Sequence, residues 1–120
     1  MLTVGGVAAG VLALAVGPAL AVADIGPGST NVAGVKCVQR GVNFFESPLL
    51  AVDGKYGALT TEAVEDLQAE FGIGVDGVVG PITGGKLKAE VLAVVIALHH
   101  TGGNAGPEDA WLSQCGSQIP

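Results

Sequence analysis

Two aspartates, Asp53 and Asp76, stand 23 residues apart in this 120-residue chain, and each is followed directly by glycine. Two carboxylates flanking a glycosidic bond are the equipment of a glycoside hydrolase, one protonating the leaving oxygen and the other serving as nucleophile or base. The surroundings of this pair point to a plainer use. Val52-Asp53-Gly54-Lys55-Tyr56-Gly57-Ala58-Leu59-Thr60 returns as Val75-Asp76-Gly77-Val78-Val79-Gly80-Pro81-Ile82-Thr83, and six of the nine residues agree when Leu59 is counted with Ile82. An Asp side chain accepts from backbone N–H groups two residues ahead and Gly tolerates positive φ, so Asp-Gly marks a sharp reversal. The second Gly lets the chain re-enter near its own turn, and Pro81 suits the first position of a helix. Each copy therefore closes a loop and launches a helix, a job that explains both carboxylates without catalysis.

The other reactive side chains assemble no catalytic set. Cys37 lies in Lys36-Cys37-Val38-Gln39, with no local group to lower its pKa, so a thiolate nucleophile served by His99 or His100 is disfavoured. The adjacent His99-His100 pair has no third ligand at a diagnostic spacing, and no metal site and no cofactor are expected. Glu62, Glu65, Asp66 and Glu70 read as a solvated helix face that would repel anionic polymers. Gln39 and Gln68 occupy equivalent places in two helices, where each could bond loop backbone or ligand.

These residues need elements to hold them. Ser29 or Asn31 is a candidate N-cap for a first helix, whose Val35, Val38, Val42 and Phe45 form one apolar stripe. Pro48 prevents that helix from continuing. Ala63, Val64, Leu67 and Phe71 fall on one face of a second helix, ended by Gly72 and Gly74. A third helix starts at Pro81. The apolar run from Lys86 to His100 fits either a long continuation of that helix or a helix to about Glu90 followed by a buried strand.

The sequence Asp-Gly-x-x-Gly-x-x-Thr, then Ala-Val-x-x-Leu-Gln-x-x-Phe, then Gly-Ile-x-Val-Asp-Gly-Val-Val-Gly-Pro-x-Thr resembles the small bacterial peptidoglycan-binding domain, a three-helix cell-wall module. Val35-Lys36-Cys37-Val38-Gln39 resembles its first-helix signature, and the likeness extends roughly from Val32 to Leu87. The resemblance implies an all-α, three-helix bundle with an internal repeat, and a non-catalytic module that binds peptidoglycan beside the two turns. On this basis Asp53, Gly54, Tyr56, Gln68, Asp76 and Gly77 are the candidate ligand-binding residues, with Tyr56 and Gln68 as the contacts. The chain departs from the family where Trp commonly follows the Thr. Here Gly84 and Gly85 stand instead, and the C-terminal tail is the expected filler.

Composition sets the remaining bounds. With 5 basic against 11 acidic residues, nucleic acid and anionic membrane surfaces are poor partners. Residues 1–23 carry no charge and end in Ala-x-Ala sites before Asp24, so they read as a secretory signal peptide lacking a basic start, and as the chain's one association with a membrane. Residues 24–31 read as a linker, 32–92 as the binding domain and 93–120 as a C-terminal extension. In a secreted, wall-associated chain the two cysteines pair, so a Cys37–Cys115 disulfide is expected to tether the extension, with roughly 4 kcal/mol of stabilisation in the chain-entropy model. The alternative function is an interaction or inhibitory module acting on a secreted cell-wall hydrolase.

Overall fold

The computed structural model describes residues 21–120, which form four α-helices: α1 (Val32–Val42), α2 (Ala58–Phe71), α3 (Pro81–Thr101) and α4 (Gly106–Cys115). Most of the expected signal segment, residues 1–20, lies outside the described residues. Of the two candidate caps it is Asn31 that closes α1, its Oδ1 accepting from the Gly34 N–H at 3.0 Å. Val35, Val38 and Val42 are fully buried against Val64 and Leu67 of α2 and Leu87 and Val91 of α3. Phe45, the last residue of the predicted stripe, meets Phe71 edge to face at 5.5 Å between ring centroids. Gly72 ends α2 with φ of 70°, and Pro81 opens α3 at its first turn.

The apolar run after Glu90 is one helix, not a helix and a strand. α3 continues to Thr101 and turns only at Gly102. Its β-branched residues weaken helix propensity, but Leu87, Val91 and Val95 recur at i+4 and face inward, and burial of that face outweighs tenths of a kcal/mol in propensity. The helix runs without a break through the expected boundary at residues 92 and 93, so the segments expected at 32–92 and 93–120 share it.

The extension completes the core. Trp111 is wholly buried, and its Nε1–H donates to the Cys37 carbonyl at 2.8 Å while Phe44 packs edge to face on its ring. Losing such a side chain costs on the order of 3–5 kcal/mol. The Cys37–Cys115 disulfide is formed, closing a loop with a sequence separation of 78 between Cα atoms 5.5 Å apart. Beyond it Ile119 is buried, and Lys88 Nζ donates to the carbonyls of Gly116, Ile119 and Pro120. The space at Gly84 is indeed filled by the tail: a Cβ there would lie 2.7 Å from the Pro120 carbonyl carbon.

Residues 24–31 are not a free linker. Ile25 is buried and exchanges backbone hydrogen bonds with Val79 at 3.0 and 2.8 Å, and the Gly28 N–H donates to the Tyr56 carbonyl. Tyr56 and Val79 hold the same place in the two copies of the repeat, so this segment straps both turns.

Candidate functional site

The repeat in sequence is a repeat in space, organised by the two glutamines. Gln39 Oε1 accepts from the N–H groups of Asp53 and Gly54 at 3.1 and 3.0 Å, while its Nε2 donates to Asp53 Oδ1, the Lys55 carbonyl and Thr60 Oγ1 at 2.9, 3.1 and 3.1 Å. Gln68 repeats the pattern. Its Oε1 accepts from Asp76 and Gly77 at 3.0 and 2.9 Å, and its Nε2 donates to Asp76 Oδ1, the Val78 carbonyl and Thr83 Oγ1 at 2.8, 3.0 and 2.9 Å. An amide has two N–H donors, so in each copy three acceptors share two hydrogens. Both glutamines are almost completely buried. The second residue of each turn has φ above 70° (75° at Gly54, 72° at Gly77), a conformation that L side chains rarely adopt.

Each aspartate completes its own turn. Asp53 Oδ1 accepts from the Lys55 N–H at 2.9 Å and Asp76 Oδ1 from the Val78 N–H at 3.0 Å. These backbone bonds, followed by the glutamine amides, hold both carboxyls below the usual aspartate range. The two aspartates thus have matched structural work, as the repeat implied.

Tyr56 and Gln68 do not stand where a ligand contact was expected. Tyr56 is 4% exposed, and its hydroxyl donates to the Gly77 carbonyl at 2.6 Å, joining the first turn to the second. Burial, with the charges of Asp76 and Glu65 beside it, pushes this phenol well above its ordinary pKa. Gln68 is spent on its loop. In this conformation neither offers a free polar atom to solvent, because a turn clamped from inside must bury its clamp.

What the first turn does offer lies on its outer side. A cavity of about 220 Å³ is lined by Asp53, Lys55, Gly57 and Thr60, and adjoins a second of about 140 Å³ lined by Glu46, Pro48, Glu62 and Asp66. Leu50, Ala51 and Leu59 line both, so the two form one shallow groove. Leu59 is 74% exposed, and its repeat mate Ile82 is 75% exposed beside a cavity of about 240 Å³ at the second turn. Sequence reasoning passed over both residues. The signal was present: each is an apolar side chain one position before the buried Thr60 or Thr83, and so about 100° off the inward face.

Glu46 borders the groove and is the most perturbed carboxyl near it. Partial burial, then a hydrogen bond with Glu70 and the charges of Glu70 and Asp66, push it up to about 7. Two ionised carboxylates cannot hydrogen-bond each other, and Glu46 Oε2 finds no donor among the described residues. A hydrogen bond between Glu46 and Glu70 requires a proton on one of the two carboxyls. Among the described residues no group of three or more His, Cys, Asp or Glu side chains gathers to hold a metal ion. His99 sits instead beside Asp109 at the surface, at 3.6 Å.

Comparison with known proteins bears on this arrangement directly. Residues 32–87 match the family model described as "Putative peptidoglycan binding domain". This stretch is a peptidoglycan-binding-type domain. It begins with α1, contains both turns and both glutamines, and ends at Leu87, the third of the five buried residues of α3, a helix that continues beyond it. The remaining elements, the strap and the Trp111 helix, are additions outside the family match. No curated protein and no solved structure matches the chain significantly.

Proposed function

We propose that this chain is a non-catalytic module that binds peptidoglycan in the extracellular wall, through the groove beside the first Asp-Gly turn. The observation that carries the reading is the family match over residues 32–87, joined to a groove that opens within those residues and is walled by an exposed Leu59. The turns serve as rigid supports: Asp53, Gly54, Asp76 and Gly77 shape the backbone, and Tyr56 and Gln68 hold it from within. Contact then falls to Leu59, Leu50 and Lys55, whose positions are set by that backbone.

The test is co-sedimentation of the oxidised chain with insoluble peptidoglycan stripped of teichoic acid. Saturable pelleting of the natural chain is expected, together with its loss in Leu59→Asp, a change on an exposed side chain that leaves the fold intact. Failure of the folded chain to pellet at any concentration rejects the reading. A second reading, an interaction module for a secreted wall enzyme, draws on Leu92 and Ile96, which stand about half exposed one turn apart on α3. Co-purification with such an enzyme, abolished by Leu92→Glu and untouched by Leu59→Asp, would favour it.

A further inference from the structure

We propose that the groove recognises a peptidoglycan stem peptide bearing a free amine, so that the module selects wall whose stems are not cross-linked. This deepens the wall-binding reading and rests on it. Three observations carry the choice of peptide over glycan.

The first is what the groove lacks. Sugar sites stack the C–H face of a pyranose on an exposed aromatic ring, and no aromatic residue lines either cavity. Tyr56 and Trp111 are buried, and Phe44, Phe45 and Phe71 pack against the core. The second is the floor. Leu50, Ala51 and Leu59 form an apolar strip shared by both cavities, shallow enough for the methyl groups of alanine residues and open enough to admit an extended peptide backbone.

The third is charge. One end of the strip is acidic, with Glu62 and Asp66 exposed on successive turns of α2 and Glu46 facing them from the loop after α1. The other end holds Lys55, exposed and in no salt bridge among the described residues, next to Asp53, whose Oδ1 is already bonded by Gln39 and the Lys55 N–H and whose charge lies close enough to act on Lys55. An occupant that matches this polarity is a short peptide of small residues, with an ammonium group at the acidic end and a carboxylate at the Lys55 end. Stem peptides carry both groups on a backbone rich in alanine. Cross-linking acylates the amine, which removes its charge and adds a second peptide where the acidic wall stands. The groove therefore discriminates between free and cross-linked stems by one charge and one branch.

The experiment uses the full oxidised chain and three preparations of one wall: insoluble and untreated, insoluble and acetylated at its free amines, and digested to peptide-free glycan strands that are then fixed to beads. The natural chain is expected to bind untreated wall, to weaken by about tenfold on acetylated wall as one charge pair is lost, and to ignore peptide-free glycan. Glu62→Gln/Asp66→Asn should bind untreated wall as weakly as the natural chain binds acetylated wall, and should gain nothing from the amines. Glu90→Gln/Asp109→Asn removes the same charge elsewhere and should behave as the natural chain, which separates the groove from a general effect of net charge. Equal binding to untreated and acetylated wall overturns the proposal while leaving wall binding intact. Retention on peptide-free glycan also overturns it and assigns the groove to sugar. No binding to any of the three preparations rejects the wall-binding reading itself, and the proposal with it.

Discussion

The first and second Asp-Gly turns share a hydrogen-bond scheme whose corresponding distances agree within about 0.2 Å, yet they face different surroundings. The first has Lys55 in its third position and adjoins a longer apolar groove. The second has Val78 there, and the strap brings the Asp24 carboxylate over Gly80, leaving a cavity with two carboxylates and no cation. The two glutamines reach their turns from different distances along the chain, 14 residues for Gln39 and 8 for Gln68. A repeated turn is thus a repeated means of support. What it supports is decided by the elements packed around it.

The comparison can be broken most sharply at the clamps. Gln39→Ala and Gln68→Ala should each cost roughly 3 kcal/mol in urea unfolding, since each empties a buried site and orphans several backbone groups. If one costs under 1 kcal/mol, the clamps are not equivalent. Next come the turn glycines. Gly54→Ala and Gly77→Ala should each cost about 2 kcal/mol, combining a left-handed backbone with a new Cβ 2.7 Å from Val32 Cγ1 or 2.8 Å from Thr61 Cγ2. A neutral result at either position would mean that the turn relaxes where its twin does not.

Tyr56→Phe removes the bond that joins the turns and should cost about 1 kcal/mol. A double-mutant cycle with Gln68→Ala should show coupling, and simple additivity would separate the turns into independent units.

The smallest effect concerns pH. Glu46 is held protonated more readily when folded than unfolded, so its contribution to stability should decline as pH rises from about 4.5 through 7. Asp53 and Asp76 act oppositely: their stabilisation is present above their ordinary value of 3.8 and is lost as pH falls through their lowered folded values. Thermal melts of Glu46→Gln should therefore remove a slope confined to pH 4.5–7, a shift of about 2 °C or less given how open this carboxyl is to screening solvent. A Glu46→Gln profile that parallels the natural chain across this window would rule Glu46 out as its source.

The turns, their helix starts and the pairing of Gln39 with Gln68 were legible because their causes are short-range. Asp-Gly chemistry, proline at a first turn and apolar spacing operate within a few residues. Tyr56 illustrates the limit of such reading. A lone tyrosine in a polar turn looks like a surface contact, and only the approach of Gly77, 21 residues away, gives its hydroxyl a buried partner. Leu59 illustrates the converse, since an apolar residue near a helix start reads as core until Thr60 is seen to take the inward direction.

Local chemistry and residue order specified two Asp-Gly turns that each launch a helix and a tether between Cys37 and Cys115, and the family resemblance added the all-α bundle and a tail expected at Gly84. Whether the glutamines hold loop or ligand, and whether a strand follows Glu90, stayed open. The tertiary structure decided which side of each turn meets solvent, that α3 runs whole to Thr101, and that Ile25, Trp111 and Ile119 belong to the core. Those outcomes depend on segments brought together from opposite ends of the chain. Burial is a property of the assembled surface, and no window of neighbouring residues contains it.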